Sequence, residues 1–290
     1  MAPTSPGTVL PHHFGVTVEG TDVRTIDDDG LRELFDVLHE HRFVVLPAQD
    51  LTNEQYVGFG RRWGTPVQLI ARRNTLGDFP EMIVQSNRAE VGTRSRNSAN
   101  HWHCDSSYEA QAATFTMLYG VEAPDEGGET LFADLVAAYE ALPAEQRALY
   151  DSLQVLHATS AATPLPDEYI SDPRSLPAEQ RKDVVLLDPV THPLVARHPV
   201  SGRRALYGLG GSAYGIVGRS TEEGAELIMQ LRRHATRERF RSHHKLMPGE
   251  VLIWDNFGVM HRATPIEYTD EPGRRRLNYR ISLKGVPDFR

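Results

Sequence analysis

Residues 248–265 read P-G-E-V-L-I-W-D-N-F-G-V-M-H-R-A-T-P: an apolar strand over 251–254, a short turn shaped by Asp255 and Asn256, and His261 on its far side. Farther on, residues 276–283 read R-L-N-Y-R-I-S-L, a strand whose alternation puts Arg276, Asn278 and Arg280 on one face. Working outward, short runs of β character recur at 14–23, 42–46, 81–85, 113–120, 130–132, 194–198 and 204–207. Helical periodicity falls at 30–40, in a stretch that Thr52 caps and that ends near Gly64, and at 135–142, 144–152 and 222–236. Many short strands and few helices predict a mostly β fold, an antiparallel core decorated by helices. No GxGxxG or Walker-type loop opens a helix, which argues against a nucleotide-binding α/β sheet.

The 290 residues are 40% hydrophobic and 24% charged, ordinary for a globular chain with a sizeable core. No repeat or long linker divides them, so one domain over 1–290 is expected. Residues 1–10 read as a disordered tail. Residues 158–188, rich in Pro, Asp and Ser, read as a mobile loop that is either a lid or a surface insertion. A net charge of −8 argues against a nucleic-acid surface, because nothing would offset phosphate repulsion. No apolar run has transmembrane length and no leader precedes the first strand, so no membrane partner and a cytoplasmic location are expected. One cysteine, Cys104, excludes an internal disulfide and suits a reducing compartment.

The chemistry gathers in residues 99–108, A-N-H-W-H-C-D-S-S-Y. Read as a strand, this segment puts His103 and Asp105 on one face and Cys104, a small core filler, on the other. One imidazole and one carboxylate then sit at a separation suited to a shared metal ion. With His261 as a third donor, two histidines and a carboxylate leave open positions, as in non-haem Fe(II) oxygenases. Arg276 and Arg280, flanked by Leu277 and Ile281, are costly to desolvate unless an anion meets them. A guanidinium fork matches a carboxylate; the bland alternative is an ion pair with Asp or Glu at the surface.

From these residues the chain resembles the taurine dioxygenase-like (TauD/TfdA-like) family of iron(II)/2-oxoglutarate oxygenases, from about residue 15 to 285. The resemblance rests on W-H-C-D-S-S-Y (102–108), G-G-E-T-L-F-A-D (127–134), A-A-Y-E-A-L (137–142), H-P-V-S-G-R-R-A-L-Y (198–207) and W-D-N-F-G-V-M-H-R-A (254–263), in order. It implies a double-stranded β-helix, the cupin-like jelly roll, with a metal between its sheets. It further implies iron on His103, Asp105 and His261, with no catalytic residue beyond them. Thr130 and Arg276 would hold the distal carboxylate of 2-oxoglutarate, and Arg280 would lie near the oxo-acid and the substrate. O2 is the other co-substrate. A homo-oligomer is compatible with the family.

Two departures stand out. The segment E-Y-T-D-E-P-G-R (267–274) lengthens the connection from His261 to Arg276, which leaves Arg275 and Arg280 as substitutes. The segment T-P-V-Q-L-I-A-R-R-N (65–74) lacks the His and Tyr with which taurine-binding members grip a sulfonate. Gln68, Arg72, His101 and Tyr108 are candidate substrate contacts. Arg72 and Arg73 would suit a small anionic substrate, or form a solvated loop pair. His101 is otherwise a packing histidine, and the pairs His12–His13 and His243–His244 read as solvated. The expected reaction is hydroxylation of an unactivated C–H bond with release of succinate and CO2. Desaturation or oxidative cleavage in natural-product biosynthesis is the alternative outcome. A zinc hydrolase or a silent anion-binding relative are the rivals from other classes.

Overall fold

Alternate residues of the strand 251–255 enter different layers. Val251 and Ile253 join a core beneath two helices, while Leu252 and Trp254 join a core between two sheets. In this computed structural model, residues 8–9, 14–67, 75–88, 99–158 and 188–287 are described. The first half of the chain forms β1 (Thr8–Val9), β2 (Val16–Thr17), α1 (Asp28–His41), β3 (Phe43–Leu46), α2 (Asn53–Trp63), β4 (Thr65–Pro66), β5 (Thr75–Leu76), β6 (Phe79–Ser86) and β7 (Phe115–Glu122). There follow β8 (Thr130–Asp134), α3 (Leu135–Glu140), α4 (Ala144–Tyr150), β9 (Gln154–His157), β10 (Val190–Pro193), β11 (Val195–Arg197) and β12 (Arg204–Leu206). The last elements are β13 (Ala213–Ile216), α5 (Thr221–Ala235), β14 (Arg241–His244), β15 (Val251–Asp255), β16 (Val259–Ala263) and β17 (Leu277–Lys284).

The main sheet has nine strands in the order β1-β2-β3-β15-β7-β17-β6-β5, with β4 paired to β17. Facing it is the sheet β14-β8-β16, and two small sheets, β10-β9-β13 and β11-β12, extend the fold. This is the expected jelly roll. Helices α1 and α2 cover the outer face of the main sheet, with Leu34, Phe35, Leu38, Tyr56 and Trp63 against Phe115, Met117, Ile281 and Leu283. Each helix has a defined start. Asp27 accepts from the Gly30 N–H, and Thr52 with Gln55 forms a capping box. The intersheet core holds Phe43, Leu118, Phe132, Leu252, Trp254 and Val259. In β7 and β17 the residues alternating with the helix-facing ones are Thr116, Arg280 and Ser282. Polar groups are thereby placed on the inner face of a buried sheet.

Several expectations change. The strand expected over 14–23 contracts to Val16–Thr17. Arg42 is not in β3 but ends α1 at φ 72, its guanidinium turned back onto the carbonyls of His39 and Glu40 and toward Asp134. Residues 99–108 are not a strand. Only His103 bridges to His261, and the chain then turns through Asp105, with Ser106 at φ 54. Strands β9, β10, β13, β14 and β16 lie where no strand was expected. β14 is R-S-H-H, polar enough to hide its extended form, and β13 is broken by Gly215. His244 is not solvated: its Nε2 lies 2.7 Å from Glu250 Oε2 across the turn into β15. Most of the suggested lid, with Gln68, Arg72, Arg73, His12 and His13, lies outside the described residues, as does most of the tail. Among the described residues no helix is long and apolar enough to cross a membrane.

Candidate metal centre

His261 is delivered by β16 at the edge of the small sheet, with Phe132 of β8 as its register partner and Trp254 4.6 Å away between ring centroids. His103 is held opposite by two backbone hydrogen bonds with the same residue, N to O and O to N, at 3.0 and 2.9 Å. The chain turns immediately afterwards and directs Asp105 back toward both imidazoles. One donor atom from each of the three lies within 4.8 Å of the others. His103 Nε2 is 3.5 Å and His261 Nε2 3.7 Å from the same oxygen, Asp105 Oδ1. Donors at about 2.1 Å from a common ion, set at right angles, lie about 3 Å apart, so small side-chain movements suffice for a shared ion.

The protonation states favour such an ion. His103 Nδ1 donates to the His101 carbonyl at 2.8 Å, since a carbonyl only accepts, so Nε2 is the nitrogen through which this ring could meet an ion. Burial, and then His103, pushes His261 well below the ordinary imidazole range, so it is neutral. Burial alone would push the Asp105 carboxyl up. Arg280, whose guanidinium lies 2.6 Å from Oδ1, is the largest opposing influence and holds the group well below the usual range, as a carboxylate.

The candidate 2-oxoglutarate residues lie at the starts of β8 and β17 and along β17. Arg276 is 7% exposed, its guanidinium pushed down by burial, and its Nε has no hydrogen-bond partner among the described residues. A desolvated guanidinium nitrogen without an acceptor is the clearest sign of an unmet anion in the fold. The lengthened connection 267–274 does not displace Arg276, because buried Asn87 closes it. Asn87 Nδ2 donates to the carbonyls of Glu267 and Arg274, and its Oδ1 accepts from the Arg276 N–H at 2.7 Å. Arg275 is instead turned outward, its Nε donating to the Asp270 carbonyl at 2.9 Å. Thr130 opens β8 one residue beyond Gly127 and Gly128, after Glu129, and the positive φ values of the two glycines make the turn; a Cβ on Gly128 would stand 3.8 Å from Arg276 Cδ. Arg280 Nη2 lies 2.6 Å from Asp105 Oδ1 and donates to Ser282 Oγ at 3.0 Å, while its Nε is unpartnered.

Of the candidate substrate contacts, Tyr108 is half-buried, and burial followed by Glu109 pushes its phenol up; Arg280 and Asp105 are close enough to act on it as well. His101 stacks beside His103 with ring centroids 5.1 Å apart, and burial pushes it down to about 3. Its ring abuts Gly211, where a Cβ would approach to 2.4 Å. Cys104 points away into core, and burial pushes its thiol up to about 12. Sequence reasoning passed over Asn87 and Thr116, the latter donating to Asp105 Oδ2 at 2.5 Å. A polar residue between Phe115 and Met117 in an otherwise apolar strand was the available signal.

Among the described residues a second group, His39, His198 and Asp255, has its donor atoms equally close. It is built differently. His198 Nδ1 accepts from the N–H groups of Val200 and Ser201, so its single proton sits on Nε2 and points to Asp255 Oδ2 at 3.1 Å. That nitrogen has no lone pair to give an ion.

A jelly roll with two imidazoles and a carboxylate between its sheets, and buried arginine beside them, defines a metal- and 2-oxo-acid-dependent oxygenase. The chain belongs to the taurine catabolism dioxygenase TauD, TfdA family, whose match covers residues 6–281, and it is a 2-oxoglutarate-dependent dioxygenase. It is 29% identical over 288 residues to a (S)-phenoxypropionate/alpha-ketoglutarate-dioxygenase of Sphingobium herbicidovorans, covering 99% of this chain and 97% of that one. It is 30% identical to an alpha-ketoglutarate-dependent 2,4-dichlorophenoxyacetate dioxygenase of Cupriavidus pinatubonensis, covering 93% and 94% of the two chains. The crystal structure of AAD-2 in complex with Mn(II) and N-oxalylglycine superposes with a TM-score of 0.76 at 28% identity, covering 97% of each chain.

Proposed function

We propose that the protein hydroxylates an unactivated C–H bond of a small organic anion, with iron(II) on His103, Asp105 and His261 and 2-oxoglutarate anchored by Arg276, Thr130 and Arg280. The observation that carries this reading is the convergence of two imidazole nitrogens on one carboxylate oxygen that Arg280 also meets, in a fold that buries the Arg276 Nε with no hydrogen-bond partner among the described residues. Iron bound there would supply O2 activation coupled to oxidative decarboxylation of the oxo-acid to succinate and CO2. The rest is the work of this chain. His101 holds His103 in the required tautomer. Asn87 fixes the backbone that presents Arg276, and the apolar intersheet core keeps water from the centre. An anionic substrate is supported by Arg280 and by the acids named for the two curated relatives. Of the candidate contacts, Tyr108, near Arg280 and Asp105, suits that role, with Gln68 and Arg72 proposed alongside it. His101 is better suited to orienting His103 than to touching substrate. A zinc hydrolase or a silent relative leaves the buried arginine and the family membership unexplained.

The test is succinate release and O2 uptake with Fe(II), ascorbate and 2-oxoglutarate across a panel of aryloxy and alkyl carboxylates and sulfonates. Turnover that depends on a panel member and is absent from His103→Ala supports the proposal. Turnover equal in the two proteins defeats it.

A further inference from the structure

Two side chains with no role in the reading above tie the second oxygen of Asp105. Asn256 Oδ1 accepts from the Trp254 indole N–H at 3.1 Å and from the Asp105 backbone N–H at 3.2 Å. Both of those groups can only donate, which fixes the orientation of the Asn256 amide. Its Nδ2 therefore faces Thr116 and donates to Thr116 Oγ1 at 3.0 Å. A hydroxyl has one proton, and the Thr116 proton goes to Asp105 Oδ2, 2.5 Å away. The chain of hydrogen bonds thus has one direction, from indole-anchored amide to hydroxyl to carboxylate. All of its members are buried: Thr116 0%, Asn256 1%, Trp254 2% and Asp105 3% exposed. Thr116 sits on a central strand between Trp254 of β15 and Ser282 of β17, so the hydroxyl cannot drift.

The two oxygens of Asp105 are consequently unlike. Oδ1 faces both imidazoles and Arg280, whereas Oδ2 faces the Thr116 hydroxyl. We propose that Thr116 and Asn256 are positioning residues that restrict Asp105 to coordination through Oδ1 alone. A carboxylate free to turn would present both oxygens to the ion and fill a position that the oxo-acid or O2 needs. This rests on the metal-centre reading and deepens it. Partners of a ligating group typically change metal affinity 10- to 100-fold when removed.

The experiment measures Mn(II) binding, and then 2-oxoglutarate binding to the Mn(II)-loaded protein, by calorimetry. It compares the natural protein with His103→Ala, Thr116→Val, Thr116→Ser and Asn256→Asp. Thr116→Val keeps volume and removes the hydroxyl; a weakening of Mn(II) binding by about 10-fold or more, with a further loss in oxo-acid affinity, is expected. Thr116→Ser keeps the hydroxyl and should recover most of both. Asn256→Asp puts an acceptor where Nδ2 donates, drawing the Thr116 proton away from Asp105, and should resemble Thr116→Val. Thermal melting of the metal-free proteins reports folding separately, and Thr116→Ser against Asn256→Asp carries the test if Thr116→Val does not fold. Thr116→Val binding both ligands as the natural protein does, or Thr116→Ser failing as badly as Thr116→Val while melting normally, overturns the positioning role alone. Mn(II) binding by the natural protein no tighter than by His103→Ala overturns the metal centre and this inference with it.

Discussion

Two clusters in this chain have the same composition, two histidines and an aspartate with donor atoms within 4.8 Å, and opposite chemistry. In His103–Asp105–His261 a carbonyl takes the Nδ1 proton of His103, so a lone pair faces the carboxylate. In His39–His198–Asp255 two backbone N–H groups occupy Nδ1 of His198, so a proton faces the carboxylate. The first arrangement offers a lone pair to a cation; the second turns the His198 proton toward Asp255. Side-chain identity and proximity do not define a metal site. At His103 and His198 the hydrogen bond on the far nitrogen decides which nitrogen could meet an ion.

The largest effect that could break this contrast is in metal binding itself. Titrated with Mn(II), the protein should take up one equivalent, and Asp105→Ala should bind it at least about 100-fold more weakly, while His198→Gln should match the natural protein. Two equivalents, or one that survives in Asp105→Ala and is lost in His198→Gln, would reverse the assignment. The next effect concerns the anion. Arg276→Gln removes the charge that an oxo-acid carboxylate would meet in a desolvated setting, about 2 kcal/mol or more, or about 30-fold in 2-oxoglutarate affinity. A loss that appears instead in Arg275→Gln would move the anchor to the surface.

A third measurement concerns stability. Because the buried His198 accepts from two backbone N–H groups through Nδ1 and its Nε2 lies 3.1 Å from Asp255, His198→Gln should lower unfolding stability by about 2 kcal/mol, the scale of two hydrogen bonds. Metal affinity should stay within about threefold. Denaturant unfolding with and without Mn(II) separates the two quantities.

The sequence made different parts of this legible for different reasons. Strands β15 and β17 could be read because they are buried and apolar on the helix side, and the motif W-D-N-F-G-V-M-H marks the turn that brings His261 back. The candidate triad was legible through residue type and family resemblance, although the stated reason was incomplete. Residues 99–108 are not a strand, and Asp105 converges with His103 because the chain turns at Ser106. Alternation happened to give the same answer as the turn. Strands β14 and β16 were missed because each is held by pairing with β8, a long-range contact, rather than by its own pattern. Asn87 was illegible for the same cause: its partners are Glu267, Arg274 and Arg276, far along the chain. Hydrogen-bond direction, on which the contrast between the two clusters depends, cannot be read from any one-dimensional pattern.

The smallest expected effect is in pH dependence, and it belongs to the second cluster. His39 donates from Nδ1 to the Phe35 carbonyl at 2.7 Å, and its Nε2 is buried without a partner. Burial depresses its folded-state pKa, against a weaker opposing pull from Asp255. The unfolded chain therefore takes a proton at about pH 6.5 that the folded chain refuses, and stability falls as pH drops below that value. One such group contributes at most about 1.4 kcal/mol per pH unit. His39→Asn, which keeps a donor near Phe35 and removes the titrating nitrogen, should make unfolding stability fall less steeply between pH 6.5 and 5. The pH dependence of Mn(II) affinity, set by the other cluster, should be unchanged. A steeper fall in stability in His39→Asn would mean that the buried nitrogen carries a proton in the fold. The second cluster would then be an ion pair rather than a neutral hydrogen-bonded set.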